Sequence, residues 1–153
     1  MAIALAQQPR KGIPDAHPVE VLTEEECWAF LRGQELGRLA FHHGDGVEIT
    51  PVNFAVAGEH VVFRTGDGSK FSDLVQDPMV AFEVDSTAEE VAESVVCRGV
   101  VIELSGEQAL MTDQLRLRPW VSTRKTHVMA IRVTEISGRR FHLTKPWAHM
   151  RPE

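Results

Sequence analysis

The sequence predicts a mainly β fold in which six antiparallel strands form a closed or partly split barrel, accompanied by a few short helices. From Leu36 onward, short apolar runs with the period of strands alternate with turn residues at intervals of about a dozen residues. Only two short helical stretches interrupt this pattern, and closure into a barrel would remove exposed strand edges. A chain of 153 residues is long enough to bury the core of one such domain.

The folded domain is predicted over residues 19–144. Residues 1–18 contain prolines among small and polar residues without apolar periodicity, which indicates a flexible tail, and residues 145–153 are predicted to form a second tail. The apolar run near the N-terminus is too short for a signal peptide, and no segment approaches the length that crosses a bilayer. We therefore expect a cytoplasmic protein without a membrane segment.

The first element of the domain is a helix that follows Thr23. Thr23 and Glu26 have the spacing of a capping box, in which each side chain bonds the other residue's backbone amide. The helix is expected to end at Gly33. Its expected buried residues are Cys27, Phe30 and Leu31.

The strands follow this helix and are separated by turns. Gly44 and Gly46, and then Gly58, favour hairpin turns between the first three strands, because glycine adopts positive φ without steric cost. Helices are expected at 69–76, before an Asp-Pro pair, and at about 106–117, before Pro119. The six predicted strands lie at 36–43, 47–56, 60–65, 79–85, 94–104 and 126–136, with a further short candidate at 140–144.

The net charge and the number of cysteines indicate which classes of ligand and which redox state to expect. A net charge of −6 disfavours nucleic acid, since binding along its backbone requires a basic face. The same charge is compatible with a single phosphate, which needs only a local cluster of cations and amides. Cys27 and Cys97 are the two cysteines, and their wide separation indicates reduced, buried thiols rather than a disulfide framework.

One turn has the composition of a phosphate-binding site. Gly66 and Gly68 allow backbone amides to approach an anion, and Ser69 can cap the following helix and donate its hydroxyl. Arg64 and Lys70 supply positive charge on either side of the turn. The spacing differs from a Walker loop, so a nucleoside triphosphate is not implied. The alternative is an ordinary glycine turn flanked by solvated cations.

The surrounding motifs resemble the pyridoxamine 5′-phosphate oxidase-like family, especially the subgroup akin to bacterial nitroimidazole-resistance proteins. The resemblance covers residues 19–143 approximately, with the motifs in the same order and spacing. These motifs are Leu39-Ala40-Phe41, Pro51-Val52-Asn53-Phe54, Phe63-Arg64-Thr65, Gly68-Ser69-Lys70, Phe82-Glu83-Val84-Asp85, Ser94-Val95-Val96-Cys97-Arg98-Gly99 and Arg118-Pro119-Trp120.

The resemblance implies a homodimer of split β-barrels with two FMN molecules at the interface, each touched by both subunits. The residues it assigns to the phosphate are Arg64, Thr65, Ser69 and Lys70. Those it places beside the isoalloxazine are Pro51, Val52, Asn53 and Phe54. Ser94 and Val95 would face the cofactor region, and Trp120 would reach the partner's flavin.

Flavin chemistry agrees with part of this assignment. Reduced flavin carries negative charge near N1 and the C2 carbonyl, so its site needs donors or a cation there. Asn53 and Trp120 are candidates, although Asn53 can equally satisfy backbone at a strand bend and Trp120 can be a core aromatic. Glu93 departs from the family pattern, which often has tryptophan before the Ser-Val strand.

Three functions remain open on the sequence. The first is an FMN-dependent oxidoreductase that passes electrons from a reduced nicotinamide to a small molecule. The second is a deazaflavin-dependent reductase, and the third is a non-catalytic module that binds flavin or haem, with His149 a candidate axial ligand. No metal site is expected, because His42 and His43 are adjacent on a strand and point to opposite faces. The sequence assigns no catalytic acid or base.

Overall fold

The fold is described by a computed structural model for residues 18–115, 117 and 125–143. The predicted tails 1–18 and 145–153 lie outside these ranges except for residue 18, and residue 144 and Trp120 lie outside them as well. The strands are β1 Val19–Val21, β2 Leu36–His43, β3 Gly46–Ala57, β4 His60–Thr65, β5 Met79–Thr87, β6 Val91–Leu104 and β7 His127–His142. The helices are α1 Glu24–Arg32, α2 Ser69–Gln76 and α3 Glu107–Met111, and a 3₁₀ turn spans Thr112–Gln114.

The strands form one antiparallel sheet that closes on itself. Their order is β1-β7-β4-β3-β2-β5-β6, and β6 pairs in addition with β7. Strands β2 to β7 therefore form a six-stranded barrel, which confirms the predicted fold class. Strand β1 lies outside the ring on β7, where Val19 is opposite Phe141. Sequence reasoning missed β1 because it has three residues, all of them exposed.

The barrel interior is filled by large apolar side chains that alternate along the strands. Phe54, Phe63 and Phe82 are fully buried, and the rings of Phe54 and Phe82 meet edge to face at 4.9 Å. Helix α1 has the predicted capping box and adds Leu31 to this core. It also buries Trp28, whereas the predicted Phe30 is only partly buried.

Both cysteines belong to this core. Cys27 and Cys97 are fully buried and not bonded to one another. Burial raises the pKa of the Cys97 thiol to about 12, so this residue remains a protonated thiol at neutral pH. Cys97 is therefore an apolar core residue and not a nucleophile.

The barrel opens between β3 and β4. Their ladder runs from the pair Ala57–His60 to the pair Phe54–Phe63 and ends there. The amide of Phe54 donates instead to the carbonyl of Glu35, at 3.0 Å, while β4 continues alongside β7. The two strands thus part at Phe54 and Phe63, and α2 follows directly from β4.

Two further elements differ from the prediction. Strand β7 continues without interruption to His142 and so includes the first residues of the stretch considered as a separate strand at 140–144. The third helix ends at Met111 and passes into the 3₁₀ turn, so it is shorter than the predicted 106–117. Among the described residues, no helix is long and apolar enough to cross a membrane.

Candidate functional site

The turn between β4 and α2 leaves the first backbone amides of the helix without a side-chain cap from the described residues. Gly68 has φ +148°, a conformation that favours glycine, and it is the N-cap of α2. The prediction that Ser69 caps the helix is wrong: Ser69 is the first helical residue, and no side chain in the described part of the chain caps the N-terminus. The first-turn amides of α2 have no acceptors within the helix, so they remain available to a ligand.

Arg64 lies at the end of β4, beside this turn. Its Nη2 atom donates to Asp113 Oδ1 of the 3₁₀ turn, at 2.6 Å. Its Nε atom is buried and has no hydrogen-bond partner among the described residues. A buried, unsatisfied guanidinium nitrogen is costly, and an anion that accepts from Nε would remove this cost.

Lys70 is the second cation of the turn and is half-buried. Burial, together with repulsion from Lys125, lowers the pKa of its ammonium. Within the described ranges, neither lysine has a carboxylate within 4.0 Å. Two ammonium groups that repel one another without a counter-ion form a place where a divalent anion is favoured.

His127, the first residue of β7, lies opposite Thr65. Its Nε2 atom is 2.6 Å from Asp67 Oδ1 and its Nδ1 atom is 2.7 Å from Glu103 Oε1. The imidazole stacks on Phe71 of α2, with ring centroids 3.7 Å apart. This side chain therefore joins the turn to β6, β7 and α2.

Thr65, the fourth predicted phosphate ligand, faces the opposite way. Its side chain is 2% exposed, and its hydroxyl donates to the carbonyl of Gly66 at 3.4 Å. In this arrangement the threonine supports the turn from inside.

The β3 residues predicted to lie beside a flavin ring border the opening of the barrel. The side chains of Val52 and Phe54 face the core, so these residues offer only their backbone to a ligand. Pro51 is exposed, and Asn53 Nδ2 donates to the carbonyl of Glu35 at 3.4 Å. Because the β3–β4 ladder ends one residue away, Asn53 and Arg64 lie on the two sides of the gap.

Ser94 belongs to a different part of the barrel surface. Its hydroxyl lies 3.4 Å from Glu83, whose carboxylate also accepts from Arg38 at 2.8 Å. Arg38 lies directly opposite Pro51 in the β2–β3 ladder. The neighbouring Val95 is completely buried in the core, so its side chain is not available to a ligand.

Measured along strands β6 and β7, Ser94 is far from the cations of the turn. Leu104, Val128 and Arg64 are successive partners across β6, β7 and β4. Ser94 is ten residues from Leu104 along β6, which corresponds to about 30 Å. The structure therefore divides the predicted site residues into a group around Arg64 and Lys70 and a second group around Ser94 and Arg38.

Sequence reasoning missed Lys125, His127, Asp113 and Arg38. Lys125 lies two residues before His127, the first residue of the last strand. This short basic stretch was the signal that could have indicated further cations for the site. Its connection to the turn depends on the pairing of β7 with β4, which sequence periodicity does not reveal. Trp120 lies outside the described residues.

Taken together, the turn and its neighbours supply the kinds of group that bind a phosphate, namely backbone amides and cations. Amides of α2 and the open Nε of Arg64 offer donors, while Lys70 and Lys125 offer two uncompensated charges. We use the name "the cradle" for residues 64–70 together with Lys125 and His127.

A closed antiparallel barrel that opens between two strands, with a cradle at the opening, defines a split-barrel protein. Residues 23–140 match the family model described as pyridoxamine 5′-phosphate oxidase, and the chain belongs to this family. The family predicted from the motifs is thereby confirmed.

Solved structures and curated proteins agree with this membership. An FAD binding protein from Mycobacterium smegmatis is 35% identical with a TM-score of 0.70, covering 82% of this chain and 100% of its own. A conserved protein of unknown function from Corynebacterium diphtheriae is 36% identical with a TM-score of 0.69, covering 81% and 98%. An uncharacterized protein of Mycobacterium tuberculosis is 30% identical over 139 residues, covering 86% and 91%.

Proposed function

We propose that this protein binds FMN, with the cofactor's phosphate in the cradle. The observation that carries the proposal is the pair of lysines, Lys70 and Lys125, which are close enough to repel one another and have no carboxylate partner in the described structure. A phosphate dianion would neutralise both. The buried Nε of Arg64 and the amides of α2 provide directed donors for the same group.

The flavin ring would extend from the cradle into the opening between β3 and β4. Asn53 lies across this opening from Arg64, and the exposed Pro51 follows along the same edge. A ring in this position would meet the backbone of β3 and the polar side chain of Asn53. The M. smegmatis relative, which is an FAD binding protein, supports a flavin as the ligand.

The second group of predicted residues supports a homodimer. Ser94 and the Arg38–Glu83 pair make no contact with the cradle in the described part of the chain, and Arg38 lies opposite Pro51 at the other edge of the opening. In a dimer with composite sites, this group would instead approach the cofactor held by the partner subunit. The homodimer is accordingly part of the proposal.

We expect the protein to be an oxidoreductase that uses a reduced nicotinamide as electron donor and acts on a small molecule. Bound flavin supplies the transfer of hydride or single electrons. In this proposal, the chain's own residues bind the phosphate and border the flavin ring. The partner subunit covers the site and so restricts the access of water to the ring.

A ligand titration with matched variants tests the phosphate assignment. A charge-assisted hydrogen bond contributes about 1.5–3 kcal/mol, so Arg64→Ala and Lys70→Ala should each weaken FMN binding about tenfold to a hundredfold. Riboflavin lacks the phosphate and should lose little affinity. Arg98→Ala is the control for the loss of an exposed arginine: Arg98 pairs with Glu135 on the outer face that includes Ala81, away from the cradle, so the ratio of FMN affinity to riboflavin affinity should not change.

The same titration distinguishes the other ligands. FAD, a deazaflavin cofactor and haem are compared with FMN, and the absorption spectrum of the purified protein identifies any group that is retained. Equal loss of FMN and riboflavin, or no loss of FMN in both variants, would contradict the cradle. Oxidation of a reduced nicotinamide in the presence of nitro compounds and quinones tests the enzymatic part separately.

A further inference from the structure

Asp67 is a carboxylate inside the turn that would surround a phosphate. Its side chain is 84% exposed, yet one oxygen lies 2.6 Å from His127 Nε2. Left without a partner at this position, a carboxylate would repel an incoming dianion. The contact with His127 directs the Asp67 carboxylate toward β7 and supplies a compensating charge.

His127 is held in place from three sides. The Asp67 carboxylate lies at Nε2, the Glu103 carboxylate from β6 lies at Nδ1, and the Phe71 ring of α2 covers one face of the imidazole. Only the imidazolium has an N–H on both nitrogens, so the cation alone can donate to both carboxylates. Loss of the proton would leave one carboxylate without its donor.

The charged groups around His127 can be named element by element. The turn contributes Asp67 and β6 contributes Glu103. Helix α2 presents the uncharged Phe71, which follows Lys70, and Lys125 precedes His127 on its own segment. When the carboxylates of Asp113 and Glu103 are counted with the cradle, the whole group is positive with a protonated His127 and neutral without that proton.

We propose that His127 is a positioning residue of the cradle: its protonated ring holds Asp67 away from the phosphate, and phosphate affinity falls when the ring loses its proton. This inference rests on the proposed FMN site and adds a pH dependence to it. The hydrogen bond to Asp67, followed by that to Glu103, raises the pKa of His127 above its usual value of 6.5. The fall in affinity is therefore expected on the alkaline side of neutrality, where the phosphate is already a dianion.

The test compares FMN with riboflavin across pH at constant ionic strength. For the wild type, the ratio of FMN affinity to riboflavin affinity should decrease on the order of threefold to tenfold from about pH 6.5 to about pH 9, the magnitude of one partly exposed charge pair. In His127→Gln the ratio should be lower at neutral pH and nearly independent of pH over this range. His142→Gln is the matched control, since His142 lies at the other end of β7, where it pairs with Glu20, and should leave the ratio unchanged.

A double-mutant cycle separates positioning from general destabilisation. Asp67→Asn changes an exposed turn residue, so it should fold normally, increase FMN affinity at alkaline pH and remove the pH dependence by itself. In the Asp67→Asn background, His127→Gln should then have little further effect. A lower melting temperature without a change in the affinity ratio would assign His127 a merely structural role.

The outcomes distinguish the two proposals. A wild type that binds FMN no better than riboflavin at any pH would overturn the phosphate site itself. A wild type that prefers FMN, with the same pH dependence in His127→Gln or in Asp67→Asn, would overturn only the role of His127. Titration of the His127 ring by NMR gives an independent readout: FMN should raise its pKa, and riboflavin should not.

Discussion

Arg64 uses only some of its hydrogen-bond donors in contacts with the described residues. One end of its guanidinium bonds Asp113, while the buried Nε lacks a partner among the described residues. Asp113 is 61% exposed on the 3₁₀ turn, so this ion pair is partly screened by solvent. Asp113 therefore competes with an anion for Arg64 without being able to satisfy all of its donors.

We expect Asp113→Asn to strengthen FMN binding by about twofold to fivefold, the value of a solvent-exposed ion pair. Removing the carboxylate frees Arg64 Nη2 for the phosphate and removes a negative charge from the vicinity. Isothermal titration with FMN and with riboflavin measures the effect, which should be confined to FMN. Weaker FMN binding would mean that Asp113 orients Arg64 instead of competing for it.

At the scale of residues, the sequence predicts those parts of the site that are continuous in the chain. Arg64, Ser69 and Lys70 are recognisable because a glycine turn lies between them. Lys125 and His127 come from a distant part of the chain and reach the turn only because β7 pairs with β4. The wrong cap at Ser69 has a local cause: Gly68 itself takes the N-cap position with positive φ.

Helix α2 depends on side chains of β2 for its position. His43 Nδ1 lies 2.7 Å from Asp73 of α2, and His42 Nε2 lies 3.9 Å from Asp77 at the end of the helix. The hydrogen bond to Asp73 raises the pKa of His43. Since α2 provides the amides of the cradle, these contacts connect the histidines to the geometry of the site.

The raised pKa of His43 predicts how the stability of α2 changes with pH. A group whose pKa is higher in the folded than in the unfolded state stabilises fully below the unfolded value, and this stabilisation is lost as pH rises through the folded value. Wild type should therefore melt above His43→Gln at about pH 5.5, with a smaller difference at about pH 8.5. Thermal melts at both pH values measure this. An equal difference at both would show that the charge on His43 contributes nothing.

At the scale of elements, strong local sequence signals were sufficient to predict the bounds of several helices and strands. The capping box of Thr23 defines α1, and the glycine turns separate β2, β3 and β4 where the sequence predicts. Strand β1 has no such signal, because it is held by pairing with β7 and buries none of its three residues. Helix α3 ends early at a 3₁₀ turn in which the buried Thr112 donates its hydroxyl to the carbonyl of Ala109.

At the scale of the whole molecule, one outer face of the barrel carries several exposed aliphatic side chains. Val47, Ile49 and Met79 are each about two-thirds exposed there. Ala40 and Ala81 lie between them on the paired strands β2 and β5. Small residues flanked by exposed aliphatic side chains suit a flat contact with another subunit, which agrees with the proposed homodimer.

We expect Ile49→Glu to convert the protein to a monomer and to reduce FMN affinity more than about tenfold, because a buried unpaired charge at an interface is costly. Light scattering should give about half the mass of the wild type. Val21→Glu is the control: Val21 is 81% exposed on β1, outside this face, and should change neither property. A wild type that is monomeric at micromolar concentration would contradict the composite site.

Strand β7 pairs with β1, β4 and β6, and so it alone completes the ring. During synthesis this strand leaves the ribosome after every other strand of the described barrel, and until then β4 and β6 both present open edges. Until the sixteen residues of β7 have been synthesised, the unpaired edges of β4 and β6 can bind chaperones or other nascent chains. Premature termination before His127 would thus yield an open, aggregation-prone sheet and not a smaller functional protein.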